Sequence, residues 1–124
     1  MNSRPHIAIG NYLRSVAKPS DVVVTNEIGA IGYHSDLALV DLQGLIDSAV
    51  PELLTRPTLD DYVTHILAKS PRFVLLNDRN MPTDREMAAP DRAIFERLQQ
   101  TGRYEAPRIV PLNDYKHVLI FVRH

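Results

Sequence analysis

The sequence contains no cysteine among its 124 residues. This absence excludes disulfides, thiolate metal sites and cysteine nucleophiles. The sequence also has no marked excess of positive or negative charge. It contains 14 Lys and Arg residues and 15 Asp and Glu residues, which give a formal net charge of −1. The basic residues form no run. Nothing in the charge therefore favours binding to nucleic acid or to an anionic membrane.

Long apolar runs are missing as well. No segment approaches the roughly 20 apolar residues that cross a bilayer, and the N-terminal residues do not have the pattern of a signal peptide. The dinucleotide motif G-x-G-x-x-G, the P-loop and the G-x-S-x-G elbow are absent. The five histidines show no metal-ligand spacing. We therefore expect a soluble chain with no catalytic residue set, no metal site and no cofactor.

Helices and strands can be predicted from the pattern of apolar residues. Apolar positions recur at helical spacing in residues 3–18, 58–70 and 90–102, with Thr58 and Pro90 as start signals. Short apolar strands are predicted at 22–25, 37–42 and 72–78. Residues 106–112 and 116–122 flank Asn113 and Asp114, which predicts a β-hairpin. Residues 79–90 carry prolines and charges without a period, which indicates an exposed loop.

This order of elements predicts a single α/β domain over residues 1–124. We expect three layers around a mostly parallel sheet of about five strands, ending in a C-terminal antiparallel hairpin. Pro107 and Pro111 lack the N–H that a central strand needs, so the first arm of the hairpin is predicted at a sheet edge. The second arm is apolar throughout and is predicted inside the sheet.

Polar side chains follow the first two strands, and these are the candidate ligand-binding residues. Asn26 and Glu27 come directly after the first strand, and Asp41 lies at the end of the second. If the two strands are parallel neighbours, these groups meet where open α/β sheets bind ligands. They could hold a sugar hydroxyl or a divalent cation, or they could form a polar network that satisfies loop backbone groups. Tyr33, in the intervening segment, completes the candidate set.

Three glycines surround the same segment. Gly29 and Gly32 follow the first strand, and Gly44 follows the second. Without the remainder of a phosphate-binding motif, we interpret them as structural residues that let a short helix pack closely on the sheet.

The stretch "NEIGAIGYHSDLALVDLQGLID", residues 26–47, resembles a segment in the C-terminal extracytoplasmic domain of bacterial multi-pass membrane glycosyltransferases. These are the C-class enzymes that use polyprenyl-phosphate sugars. The preceding "NYLR" (11–14) and the later "PRFVLL" (71–76) are also similar to positions in that family. The resemblance covers about the first two thirds of the chain.

The resemblance implies a non-catalytic accessory domain that helps shape or gate acceptor access. It places the domain on the periplasmic face of the bacterial inner membrane, excised from the C-terminus of a longer membrane protein. The implied partners are the membrane-embedded portion of the parent chain and a glycan or lipid-linked sugar, and no nucleic acid is implied. Family members carry their catalytic acid between membrane helices, which this sequence lacks. His34 stands where the family more often has an aromatic residue.

Two alternatives remain open from the residues alone. The polar groups at the strand ends are also compatible with a free-standing small α/β enzyme or a ligand- or nucleotide-binding domain. The loop at 79–90, with Met81 and Met87 predicted to be exposed, would suit a protein-interaction module.

Overall fold

The computed structural model describes residues 4–18, 20–25, 38–41, 49–80, 85–112 and 116–124. The described elements, in chain order, are α1 (Arg4–Val16), β1 (Val22–Thr25), β2 (Ala38–Asp41), α2 (Val50–Leu53), α3 (Asp60–Leu67), β3 (Phe73–Asn80), β4 (Arg85–Glu86), α4 (Ala89–Thr101), β5 (Arg108–Pro111) and β6 (Lys116–Val122). Within these residues, none of the helices is both long and apolar enough to cross a membrane.

The strands form one mixed sheet in the order β2-β1-β3-β6-β5, with β4 paired to β3 beside this path. β1 pairs in parallel with β2 and with β3. The pairings of β3 with β4, β3 with β6, and β5 with β6 are antiparallel. The domain is therefore α/β, but the prediction of a mostly parallel sheet of about five strands is wrong.

The error has a physical cause in the centre of the sheet. The C-terminal strand β6 lies directly against β3 and pairs with it from Phe73 to Arg79, whereas β1 pairs with β3 only at Val23 and Val24. Burial drives this arrangement, because Val118 and the residues up to Phe121 are at most 2 % exposed and need cover on both faces. The most extensive ladder is consequently antiparallel.

Helices lie on both faces of the sheet because alternate strand residues point to opposite sides. On one face, Ile9 and Leu13 of α1 pack against a cluster that includes Phe73 and Leu75. On the other face, buried residues of α2, α3 and α4 pack against Val74, Leu76, Leu119 and Phe121, among others. Thus α1 covers one side and the three later helices cover the other.

Two local predictions along the chain are also wrong. Thr58 does not cap α3, since the cap residue is Leu59 and it makes no side-chain cap bond. The segment predicted as an exposed loop is partly strand, because β3 continues to Asn80 and β4 returns along it. Met87, predicted to be exposed, packs half-buried against the core, whereas Met81 lies outside the described residues.

Candidate functional site

The carboxyl ends of β1 and β2 meet at one edge of the sheet. Thr25 and Asp41, the last residues of the two strands, are register partners in a parallel pair. Thr25 is fully buried. The backbone therefore brings Asp41 to the position that the sequence predicted for it, beside the start of the segment that follows β1. We call this end of the sheet, with the outer half of β3 and the start of β6, the carboxyl edge.

The other residues predicted at this edge lie outside the part of the chain that the structure describes. Asn26, Glu27 and Tyr33, and the three glycines Gly29, Gly32 and Gly44, all belong to residues that the structure does not describe. Their grouping with Asp41 stays a prediction.

Beyond the level of Thr25, β3 and β6 continue together and bring an acid and a histidine side by side. Asp78 and His117 are register partners, and Asp78 Oδ1 lies 3.3 Å from His117 Nδ1. The Asp78 side chain is fully buried, whereas 17 % of the His117 side chain is exposed. The separation is longer than the roughly 2.8 Å of a charge-assisted hydrogen bond. The two groups form a partly shielded pair that opens to solvent on the histidine side.

This pair shares a sheet face with the core of α3 and α4. Leu76 and Leu119 are register partners two residues inward from Asp78 and His117, and both belong to that core. An acid beside a histidine is one part of a hydrolytic site, which also needs a nucleophile.

Asp91, in the first turn of α4, closes a gap in the sheet near this pair. Its Oδ2 accepts a hydrogen bond of 3.0 Å from the Asn77 backbone N–H. Asn77 lies on β3 between Val74, where the pairing with β1 ends, and Arg79, where the pairing with β4 begins. The carboxylate therefore replaces a missing strand partner. Burial raises the pKa of Asp91, and the bond from Asn77 offsets only part of that rise.

The chemistry available at the carboxyl edge is thus polar and acidic. In the described part of the chain, no group of three or more His, Asp or Glu residues has the geometry to hold a metal ion. Asp91 is committed to the backbone of β3. Asp78 and His117 form an acid–histidine pair at this edge.

A protein-family model described as "Domain of unknown function (DUF8728)" matches residues 2–121. The match extends from before α1 into β6 and so includes nearly the whole chain. The chain belongs to this family. The comparison with curated proteins finds no match, and neither does the comparison with solved structures. The description of the family names no activity, substrate or membrane.

For this DUF8728 domain, the sequence predicted Asp41 at a strand end, where the structure has it, but did not predict that Asp78 and His117 are neighbours. The two residues come from different strands far apart in the chain, and no motif links them. Only the antiparallel register of β3 and β6 makes them neighbours. The one usable signal was the polar "ND" that ends the apolar run 73–76, at a carboxyl strand end.

Proposed function

We propose that the chain is a non-catalytic accessory domain of a bacterial membrane glycosyltransferase that uses a polyprenyl-phosphate sugar. In this proposal, it lies on the periplasmic face of the inner membrane as part of a longer chain. Its carboxyl edge helps shape or gate the access of the acceptor. Its partners are the membrane-embedded portion of the parent chain and a glycan or lipid-linked sugar.

The observation that carries the proposal is the resemblance of residues 26–47 to the C-terminal domain of those enzymes. The fold is compatible with it, since β1 leads into that segment and β2 lies inside it, and the two strands are parallel neighbours. Asp41, the acid of the segment, ends β2 at the carboxyl edge. Open α/β sheets bind ligands at such ends.

The first test is genetic. The complete open reading frame should encode several membrane helices ahead of this domain. A reading frame without such helices would contradict the proposal directly.

The second test uses the complete membrane protein. Asp41→Asn should lower transferase activity, measured as sugar transferred from the lipid-linked donor, while the protein still reaches the membrane in normal amount. Asp60→Asn is the matched control, because Asp60 is an exposed acid on α3. If Asp41→Asn and Asp60→Asn are equally active, the carboxyl edge does not take part in acceptor access.

A second candidate function is supported by the Asp78 and His117 pair. A free-standing ligand-binding domain or small enzyme would use this pair, since a buried carboxylate beside a partly exposed histidine offers polar groups that can orient a ligand. A ligand present at 100 times its dissociation constant should add about 2.7 kcal/mol to the free energy of unfolding.

The candidate is tested by thermal denaturation with nucleotides, sugar phosphates and divalent cations. A stabilising compound should lose its effect in His117→Gln and keep it in His65→Gln, a histidine of α3. If no compound shifts the melting temperature, or if both variants respond like the wild type, this function is wrong.

A further inference from the structure

A basic depression lies at the end of the sheet opposite the carboxyl edge. It has a volume of about 290 Å³ and is lined by Lys18, Asp21, Arg72, Arg123 and His124. Lys18 and Asp21 lie in the link from α1 to β1, and Arg72 directly precedes β3. Arg123 and His124 follow β6. We call this depression the basic pocket.

The protein itself fixes the two guanidinium groups of the basic pocket. Arg72 Nη1 donates to Asp21 Oδ2 at 2.7 Å, and the Arg72 guanidinium lies 5.2 Å from the centre of the Phe73 ring. Arg123 Nη1 donates to the Ser70 carbonyl oxygen at 2.6 Å. Each arginine therefore uses one guanidinium nitrogen in a hydrogen bond within the protein. These bonds fix the orientation of the planar group in the absence of a ligand.

The positive charge of the basic pocket exceeds what the fold neutralises. Asp21 supplies the one carboxylate side chain of this lining, and the backbone N–H of Lys18 together with Arg72 lowers the pKa of Asp21. This carboxylate balances one of the three charges on Lys18, Arg72 and Arg123. His124, which adds a charge when protonated, has Glu105 Oε1 at 3.9 Å from its Nδ1.

Two positive side-chain charges therefore remain in a concave site of a chain whose formal net charge is −1. Like charges held together cost free energy unless an anion sits between them. A phosphate monoester carries nearly two negative charges at neutral pH and offers three acceptor oxygens. Arginine forks and a lysine ammonium are the groups that recognise phosphate in proteins. The volume is near the lower limit for small-molecule sites.

We propose that the basic pocket binds the phosphate group of a small phosphorylated molecule or of a lipid headgroup through Lys18, Arg72 and Arg123. This site is at the opposite end of the sheet from Asp41 and does not depend on the function proposed above. The remaining nitrogens of the two guanidinium groups and the Lys18 ammonium are its donors.

The binding test is a titration of the protein with inorganic phosphate, followed by the backbone amide signals in NMR spectra. The signals of Asp21, Arg72 and Arg123 should shift in a saturable way. Lys18→Gln should weaken binding about tenfold, as the loss of one charge-assisted contact does. Lys18 is the residue to change, because its side chain is exposed and lines the basic pocket. Arg92→Gln, an exposed charge on α4, should leave the affinity unchanged.

A second arm separates a soluble ligand from a lipid. Co-sedimentation is measured with vesicles of phosphatidylcholine alone and of phosphatidylcholine mixed with phosphatidic acid. The pocket is assigned to a lipid headgroup if the wild-type protein binds the mixed vesicles, Lys18→Gln weakens that binding, and free phosphate causes little change in the NMR signals. Saturable shifts with phosphate alone would assign it to a soluble ligand. If neither probe binds, or if Lys18→Gln and Arg92→Gln weaken binding equally, the proposal is wrong.

Discussion

Replacing Asp91 with alanine tests how the sheet is completed near its carboxyl edge. Asp91 is 6 % exposed, and its Oδ2 accepts the Asn77 N–H at 3.0 Å. Removing the acceptor leaves a partly buried N–H donor without this partner, which costs up to about 1–3 kcal/mol. Part of this cost is offset, because burial already disfavours the charged carboxylate. We therefore expect Asp91→Ala to lower the free energy of unfolding by about 1–2 kcal/mol at neutral pH.

The pH dependence of this effect has a definite sign. Burial raises the folded pKa of Asp91 above its ordinary value of 3.8. The stabilisation from Asp91 is therefore fully present below that ordinary value and declines as pH rises through the folded pKa. The difference between wild type and Asp91→Ala should be larger at pH 4 than at pH 7. Asp91→Asn keeps an acceptor oxygen without the charge, so it should cost less than Asp91→Ala at pH 7.

The measurement is urea denaturation followed by circular dichroism at both pH values. A loss of 1 kcal/mol corresponds to a fall of about 3–5 °C in melting temperature for a chain of this length. Asp60→Ala is the control, because Asp60 also lies in the first turn of a helix but is exposed. If Asp91→Ala and Asp60→Ala lower the free energy of unfolding by the same amount, the Asp91 carboxylate does not complete the sheet. If the Asp91→Ala difference grows from pH 4 to pH 7, burial does not dominate its ionisation.

Three further substitutions test the core, a helix end and a tertiary hydrogen bond. Leu76→Ala removes a fully buried side chain between β3 and the helices, and should cost about 2–5 kcal/mol in urea denaturation; a smaller loss would mean that the site collapses around the cavity. Gly102→Ala puts a side chain where φ is 66° but where nothing lies within 4 Å, so we expect a loss of about 1–2 kcal/mol from the backbone alone. Asparagine at that position should recover part of this loss, and equal melting temperatures for both variants would contradict the backbone explanation. Tyr104→Phe removes the hydroxyl that donates to the Pro71 carbonyl, and the free energy of unfolding should fall by about 1 kcal/mol. An unchanged free energy of unfolding would mean that water replaces this hydrogen bond.

The apolar stripes of the helices could be predicted because helical spacing is a local property. Leu13 of α1, Ile66 of α3 and Ile94 of α4 are apolar positions of the three predicted helical segments, and all are fully buried. Val16 is another apolar position of the first segment but is 41 % exposed, since α1 ends there. The prolines around β5 placed that strand at a sheet edge, and the topology confirms it, because a missing N–H has the same consequence in any fold.

The proportion of parallel pairing could not be predicted. The apolar character of β6 required a buried strand, but no residue specified which strand would lie beside it. The long register of β6 with β3 is decided by packing across the whole sheet. The extension of β3 into a segment of mixed polar residues has the same cause. Its strand partners are β4 and β6, and the residues of the segment do not predict that pairing.

By itself, the sequence determined the α/β class, the buried faces of the helices and the position of Asp41 at a strand end. Each depends on neighbours within a few residues along the chain. Tertiary structure alone decided that Asp78 meets His117 and that the charges of the basic pocket come together. Such groups come from separate elements, and only the order and register of the strands bring them within reach of one another.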